Sequence, residues 1–230
     1  MMFLVVQVFD NSPAYLCAQM NYGFERYQLH PRVLDALPGL GFKSTTHVQE
    51  KVIPLFLQHK NLIVEAPTGT GKTAAYGLPL ISCVDLLKNK TQALVLAPSR
   101  ELAIQIADAL KSFFDGHQLK VGLVTGGTSM AESEKVIRSG AHIVVAVPGR
   151  LRDIMSSTHI DHFWRDIKFL IMDEGDKLLE SGFLNDYEQI RRHLRNRLQV
   201  GFFSATVPDD SEKLMRETIG AKPEIVRLHP

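Results

Sequence analysis

Residues 169–176 read FLIMDEGD. An apolar run ends in three acidic groups within four positions, Asp173, Glu174 and Asp176. A continuous apolar run of this length fits a strand buried on both faces, as in a parallel sheet. Carboxylates delivered to one point by such a strand have two readings. They hold a cation and work on water, or they are a solvated turn that follows a strand. The other strands of the chain decide between these.

Short apolar, β-branched runs recur: NLIVEA (61–66), ALVLAP (93–98), VGLVTG (121–126), HIVVAV (142–147), VGFFSA (200–205) and EIVRL (224–228). Between most of them lie segments with helical spacing, among them 74–87, 100–114 and 184–194. Strands alternating with helices predict an α/β fold of three layers, a mainly parallel sheet covered by helices on both faces. Such sheets bind ligands in the crevice beyond the carboxyl ends of their strands. PTGTGKT follows the first run, PSREL the second, GG the third, PGR the fourth and DEGD the fifth, while SAT closes the sixth. Polar and glycine-rich chemistry therefore collects at one edge of the sheet. That edge is a working surface.

Composition bounds what the surface can meet. The 230 residues, 45% of them hydrophobic, suit one large domain with a full core. A formal net charge of +1 supplies no global basic field, so any nucleic-acid contact must come from a local patch. Two cysteines, Cys17 and Cys83, give neither a disulfide framework nor metal-ligand spacing, which suits a reducing compartment inside the cell, nuclear or cytoplasmic. The opening MMFLVVQVF is brief and lacks a basic leading region, so it reads as an extension or a strand rather than a secretion signal. No segment approaches the length of a membrane span.

APTGTGKT (66–73) fits the phosphate-binding loop pattern when counted from Ala66, which stands where the strict pattern has glycine. Thr68, Gly69, Thr70 and Gly71 form a loop whose backbone N–H groups can wrap phosphates, and the following helix adds its dipole. Lys72 is placed to bridge the outer phosphates and the Thr73 hydroxyl to ligate magnesium. A nucleotide-bound magnesium needs a carboxylate from a second strand, which Asp173 supplies. Glu174 then orients or deprotonates the attacking water. Asp176 stands one step back, holding another loop. Beside this loop, the acidic cluster reads as catalytic.

The order of APTGTGKT, PSREL, GG, PGR, DEGD and SAT resembles the first RecA-like domain of a DEAD-box RNA helicase, from about residue 24 to the C-terminus. The resemblance implies a RecA-like P-loop domain, ATP and Mg2+ as cofactors, RNA as partner, and an RNA-dependent ATPase that unwinds RNA. Upstream, GFKSTTHVQ (41–49) resembles the family's adenine-recognition segment, with Phe24 where the family has an isolated aromatic. The Gln49 amide can pair with the adenine amino group and N7 together. Phe42 can stack on the base.

By the same resemblance Pro98, Ser99, Arg100, Glu101, Gly126, Gly127, Pro148, Gly149 and Arg150 line the RNA backbone. Glycines permit close approach and the arginines offer phosphate contacts, so little sequence specificity is expected. Either arginine could instead form an internal ion pair. Ser204 and Thr206 are expected to link the nucleotide site to the RNA surface by hydrogen-bonding Asp176.

The sequence departs from the family pattern at several places. Thr45 stands where proline is usual, Pro67 where glutamine is common, and Ser99 and Val147 each in place of threonine. Gly175 replaces alanine in the name-giving tetrapeptide; it keeps every acidic group and is expected to cost rigidity rather than chemistry. Val147 lacks a hydroxyl near the expected RNA path. The basic RRHLRNR (191–197) reads as a solvated helical face, and HIDH (159–162) has too few ligands for a metal.

Residues 1–23 are thus expected to form an extension and residues 24–230 one ATP-binding helicase domain. The second RecA-like domain, which in this family closes over ATP, is expected to be absent from these residues. A nucleotide-binding interaction module that joins RNA–protein complexes without unwinding is the alternative. A metabolic P-loop kinase shares the loop but gives no reason for PSREL, PGR and SAT.

Overall fold

The computed structural model describes residues 23–157, 160–179, 181–194, 198–207, 212–213, 216–217, 219 and 222–228. The expected extension up to residue 22, Cys17, His159 and residues 195–197 of the basic cluster lie outside them. In chain order the elements begin with α1 (Pro31–Ala36), a short 3-10 turn (Pro38–Leu40), α2 (His47–Leu57), β1 (Leu62–Glu65) and α3 (Lys72–Cys83). Then come β2 (Ala93–Leu96), α4 (Arg100–Ser112), β3 (Val121–Val124), α5 (Met130–Arg138), β4 (Ile143–Ala146) and α6 (Pro148–Ser157). The remainder is α7 (Asp161–Trp164), β5 (Phe169–Asp173), α8 (Gly175–Leu178), α9 (Ser181–His193), β6 (Gln199–Ser204) and β7 (Glu224–Arg227).

Among the described residues seven strands join one sheet in the order β3-β4-β2-β5-β6-β1-β7, and each neighbouring pair runs parallel. The carboxyl ends therefore face one way, as the sequence predicts. Residues of β2, β4, β5 and β6 are buried throughout, whereas the edge strands β3 and β7 alternate or open to solvent. Continuous apolar runs belong in the middle of such a sheet because helices cover both faces.

Period-two geometry splits each central strand between two cores. Ala93 and Val95, Ile143 and Val145, and Phe169 and Ile171 pack on one face with Val33, Val52, Tyr76 and Leu110. Leu94 and Leu96, Val144 and Ala146, and Leu170 and Met172 pack on the other with Ile137, Ile154, Phe163 and Ile190. Helices α1 to α4 thus form one outer layer and α5, α6, α7 and α9 contribute to the other. This is the three-layer RecA-like architecture.

Helix starts follow local chemistry. Thr46 with Gln49 and Ser129 with Glu132 make capping boxes, and the Ser99 side chain accepts from the Leu102 N–H at the start of α4. No helix among the described residues is long and apolar enough to cross a membrane.

Candidate nucleotide site and strand-end surface

Beyond β1 the chain turns through residues 66–71 into α3. Gly69 and Gly71 have φ of +79° and +89°, a left-handed conformation that favours glycine. At Gly71 there is a second reason: a β-carbon would lie 2.6 Å from Nε2 of Gln49. The loop is closed on itself. Thr70 Oγ1 donates to the Pro67 carbonyl at 2.7 Å, and Lys72 Nζ donates to the carbonyls of Ala66 (2.5 Å) and Pro67 (3.0 Å). Ala66, in the place of the first glycine, is buried, and its N–H donates to the Ser204 carbonyl at 3.0 Å.

Two strands away, Asp173 ends β5 with only 4% of its surface exposed. Its Oδ2 accepts from the Tyr76 hydroxyl at 2.9 Å and its Oδ1 from the Glu174 N–H at 3.0 Å. Burial pushes the Asp173 carboxyl above its ordinary value, while those two hydrogen bonds and Lys72 pull it down. Burial likewise draws the Lys72 ammonium down, opposed by the charges of Asp173, Glu174 and Asp176. The lysine and the acidic cluster share one field.

Glu174 is a non-glycine residue in the left-handed region, φ 49° and ψ 51°, a strained conformation of the kind that collects at functional sites. It opens α8, and its carboxylate meets Lys177 Nζ at 2.6 Å. Asp176 accepts a hydrogen bond from Thr206 Oγ1 at 3.1 Å. Ser204 differs from expectation: its hydroxyl accepts from the Thr206 N–H at 3.3 Å and supports Asp176 only through Thr206. Ser204 is fully buried at the end of β6, where its hydroxyl serves the turn that carries Thr206.

These groups face a cavity of about 490 Å³ lined by Thr68, Gly69, Gly71, Lys72, Thr73, Asp173, Glu174 and Asp176. Leu102, Gln105, Lys177 and Ala205 complete the wall. Sequence reasoning missed those four. Leu102 and Ala205 lie inside PSREL and SAT, and Lys177 adjoins DEGD, but Gln105 belongs to no motif and reaches the cavity because β2, which leads into α4, pairs with β5.

A second recess, about 370 Å³, lies on the other side of the phosphate loop between Thr46, His47, Val48, Pro67, Thr70, Arg227 and Leu228. Gln49, 1% exposed, is already engaged: Oε1 accepts from the Thr46 N–H at 2.9 Å and Nε2 donates to the Gly71 carbonyl at 3.4 Å. Phe24 is wholly buried in the core and meets Phe42 edge-on at 5.9 Å. Phe24, expected among the nucleotide-binding residues, is instead enclosed by the core and leaves no surface for a base. Its apolar ring is better satisfied beneath Phe42, which in turn packs on Phe113.

The ends of β3, β4 and β2 form the other half of the edge. Ser99 caps α4, with Pro98 before it and Arg100 and the exposed Glu101 in its first turn. The Arg100 guanidinium lies directly against Gly127, which adopts φ +86° and has no side chain to displace it. Space around Gly126 is open. Pro148 and Gly149 start α6, and Arg150 donates to Ser133 Oγ at 3.2 Å and to the Thr128 carbonyl. Among the described residues neither Arg100 nor Arg150 takes part in an ion pair. His162 is exposed, and no metal-binding cluster of acidic, histidine or cysteine side chains occurs among the described residues.

The family described as DEAD/DEAH box helicase matches residues 46–214, most of the described chain and every strand-end motif above. The chain belongs to this family. It is 38% identical over 208 residues to the ATP-dependent RNA helicase CshA of Listeria monocytogenes, covering 89% of this chain and 39% of that protein. The DEAD-box ATP-dependent RNA helicase CshA of Streptococcus pneumoniae is 40% identical over 205 residues, 89% of this chain and 38% of its own. The crystal structure of a DEAD box protein from Methanococcus jannaschii superposes with a TM-score of 0.81 at 34% identity, covering 89% of this chain and 55% of that one. Dbp5 of S. cerevisiae, in a structure bound to RNA and ADP BeF3, gives 0.82 at 27% identity, with 90% and 52% covered. This chain spans about two fifths of the length of the curated relatives it matches.

The departures from the DEAD-box pattern now have local explanations. Thr45 Oγ1 donates to Glu50 at 3.1 Å, tying the start of α2 in place of a rigid proline. Ser99 keeps the capping oxygen that a threonine would supply. Pro67 contributes its carbonyl, which any residue could offer, to Thr70 and Lys72. Val147 is half-buried and packs on the core, so its lost hydroxyl leaves no orphan inside this DEAD-box domain.

Proposed function

We propose that this domain binds magnesium–ATP in the cavity between the phosphate loop and Asp173, and the RNA backbone along the ends of β3, β4 and β2, as the nucleotide-binding half of an ATP-dependent RNA helicase. The observation that carries it is the convergence of Lys72, Thr73, Asp173, Glu174 and Asp176 on one cavity. The donor set fits the cation: a hydroxyl and one buried carboxylate, with the rest of the shell left to phosphates and water, is how magnesium is commonly held. Bound magnesium would neutralise charge on the phosphate oxygens.

Each residue has a task in this reading. Backbone N–H groups of residues 68–71 cradle the phosphates, and Lys72 exchanges its carbonyl partners for phosphate oxygens. Glu174 takes the proton of the attacking water. The recess beside Pro67 and Thr70 takes the base, with Gln49, which follows Val48 of its lining, selecting adenine by turning its amide from Thr46 and Gly71. Arg100 and Arg150 meet RNA phosphates, and the Thr206–Asp176 hydrogen bond couples that surface to the nucleotide.

Transition-state charge in phosphoryl transfer is commonly met by an arginine finger, worth about a thousandfold or more in rate. Arg100 and Arg150 stand on the other half of the edge, so a second RecA-like domain is the proposed source. The test is RNA-stimulated ATP turnover measured twice, on these 230 residues and on the same residues joined to such a domain. Weak turnover alone and strong turnover when joined is expected. Robust duplex unwinding by the single domain would overturn the two-domain account. Nucleotide binding with no response to RNA in either form would favour the interaction module.

A further inference from the structure

Tyr76 has no assigned task in the chemistry above, yet its hydroxyl lies within it. The side chain is wholly buried on α3, one turn beyond Thr73. Its hydroxyl donates to Asp173 Oδ2 at 2.9 Å. We propose that Tyr76 is a positioning residue for the nucleotide-bound cation, fixing the Asp173 carboxylate in one arrangement. This rests on the reading of the cavity as a magnesium–nucleotide site.

The geometry gives the phenol little freedom. Its ring packs on Phe203 with centroids 4.8 Å apart and planes inclined by 53°. Phe203 is the residue paired with Asp173 across β5 and β6. The ring is therefore clamped by the strand that lies beside the carboxylate it serves. A carboxylate has about four lone-pair directions. Tyr76 takes one on Oδ2 and the Glu174 N–H one on Oδ1, so the carboxylate is held at both oxygens with capacity left on each. Held at one oxygen only, it could rotate about its terminal bond, a soft torsion for aspartate. Thr73 stands on the same helical face three residues earlier, so α3 carries both one of the groups proposed to hold the metal and the hydroxyl that fixes the other. A phenylalanine would fill the same core space; the oxygen is what it would lack.

The test is Tyr76→Phe in the 230-residue chain, read by titration with a fluorescent ATP analogue in magnesium and again with chelator. A urea midpoint for the variant reports whether the core still stands. We expect affinity in chelator to stay within about twofold, while magnesium-dependent tightening weakens by about tenfold, the usual scale for losing an outer partner of a metal ligand. In an Asp173→Asn background, adding Tyr76→Phe should change the magnesium dependence no further, because the effect runs through that carboxylate. Equal losses with and without magnesium would make Tyr76 merely structural and overturn the proposal. No loss in either condition would overturn it too. If the parent chain itself showed no magnesium dependence, the reading of the site would fall first, and the proposal with it.

Discussion

Gly175 lies against Phe202: a β-carbon at position 175 would come within 2.8 Å of Cδ1 of that ring. Phe202 is 1% exposed, enclosed by the core on β6. The glycine that replaces alanine in the tetrapeptide is thus a steric partner of β6 rather than a loosened hinge. Gly175 lies in α8 and is not among the glycines of positive φ, so the missing side chain, not the backbone, is what the site requires. We expect Gly175→Ala to destabilise by about 1–3 kcal/mol, the range for overpacking a core. Combined with Phe202→Leu it should cost less than the two changes summed, as contacting residues do not add. Urea denaturation of the two single variants and the double variant checks this.

Metal binding and water activation should separate by residue. Asp173→Asn is expected to reduce magnesium-dependent nucleotide affinity. Glu174→Gln should leave binding near normal and lower turnover by about a hundredfold or more, the scale of general-base catalysis. Single-turnover hydrolysis in the two-domain protein is the measurement. Parent-rate hydrolysis by Glu174→Gln would remove it from that role.

Gln49 carries two loads. It closes the capping box of α2 and holds the Gly71 carbonyl. Gln49→Ala should therefore cost about 1 kcal/mol of stability, typical of a lost cap. Separately, it should weaken ATP binding more than GTP binding, since adenine alone presents the matched donor and acceptor. Parallel titrations with the two nucleotides decide the second point, and equal losses would confine Gln49 to a structural role.

Arg100 and Arg150 should respond differently. Arg150 ties α6 to Ser133 and the Thr128 carbonyl, so Arg150→Ala should lower both stability and RNA affinity. Arg100→Ala should leave stability within about 0.5 kcal/mol. Its RNA affinity should fall evenly across sequences, with the salt slope reduced by about one. Filter binding of unrelated RNAs over a range of salt reads this directly.

His142 makes stability depend on pH. It is 1% exposed, and its Nδ1 accepts from the Lys120 N–H at 3.0 Å. Burial first, and the Lys120 charge second, hold its pKa below the ordinary 6.5, with the Leu86 backbone opposing. The folded value lies below the unfolded one, so the unfolded chain binds the proton more readily. The stability it contributes is full above about 6.5 and is lost as pH falls through that value toward the folded one. Urea midpoints between about pH 7 and 5.5 should drop in the parent and drop less in His142→Asn.

Periodicity and punctuation were enough for the frame. Seven short apolar runs, their intervening helical spacing and the motifs that follow most of them are local properties of the chain, and they specify a parallel sheet with its polar motifs at one edge. The residue types at that edge, Lys72 and Thr73 in one loop and Asp173 and Glu174 in another, already point to the proposed nucleotide chemistry. What the sequence could not supply is adjacency. Strand order brings β6 between β1 and β5, so Ser204 bonds Ala66 on one side while Thr206 bonds Asp176 on the other. Pairing of β2 with β5 turns Leu102 and Gln105 toward the cavity, and the packing of α3 on the sheet sets the Tyr76 hydroxyl on Asp173, 97 residues away. The same limit explains Phe24, whose burial under Phe42 no local pattern reveals, and Gly175, whose missing side chain is dictated by a ring on another strand. Hydrophobic periodicity is written residue by residue. Hydrogen bonds and steric fits between distant segments exist only once the sheet has chosen its neighbours.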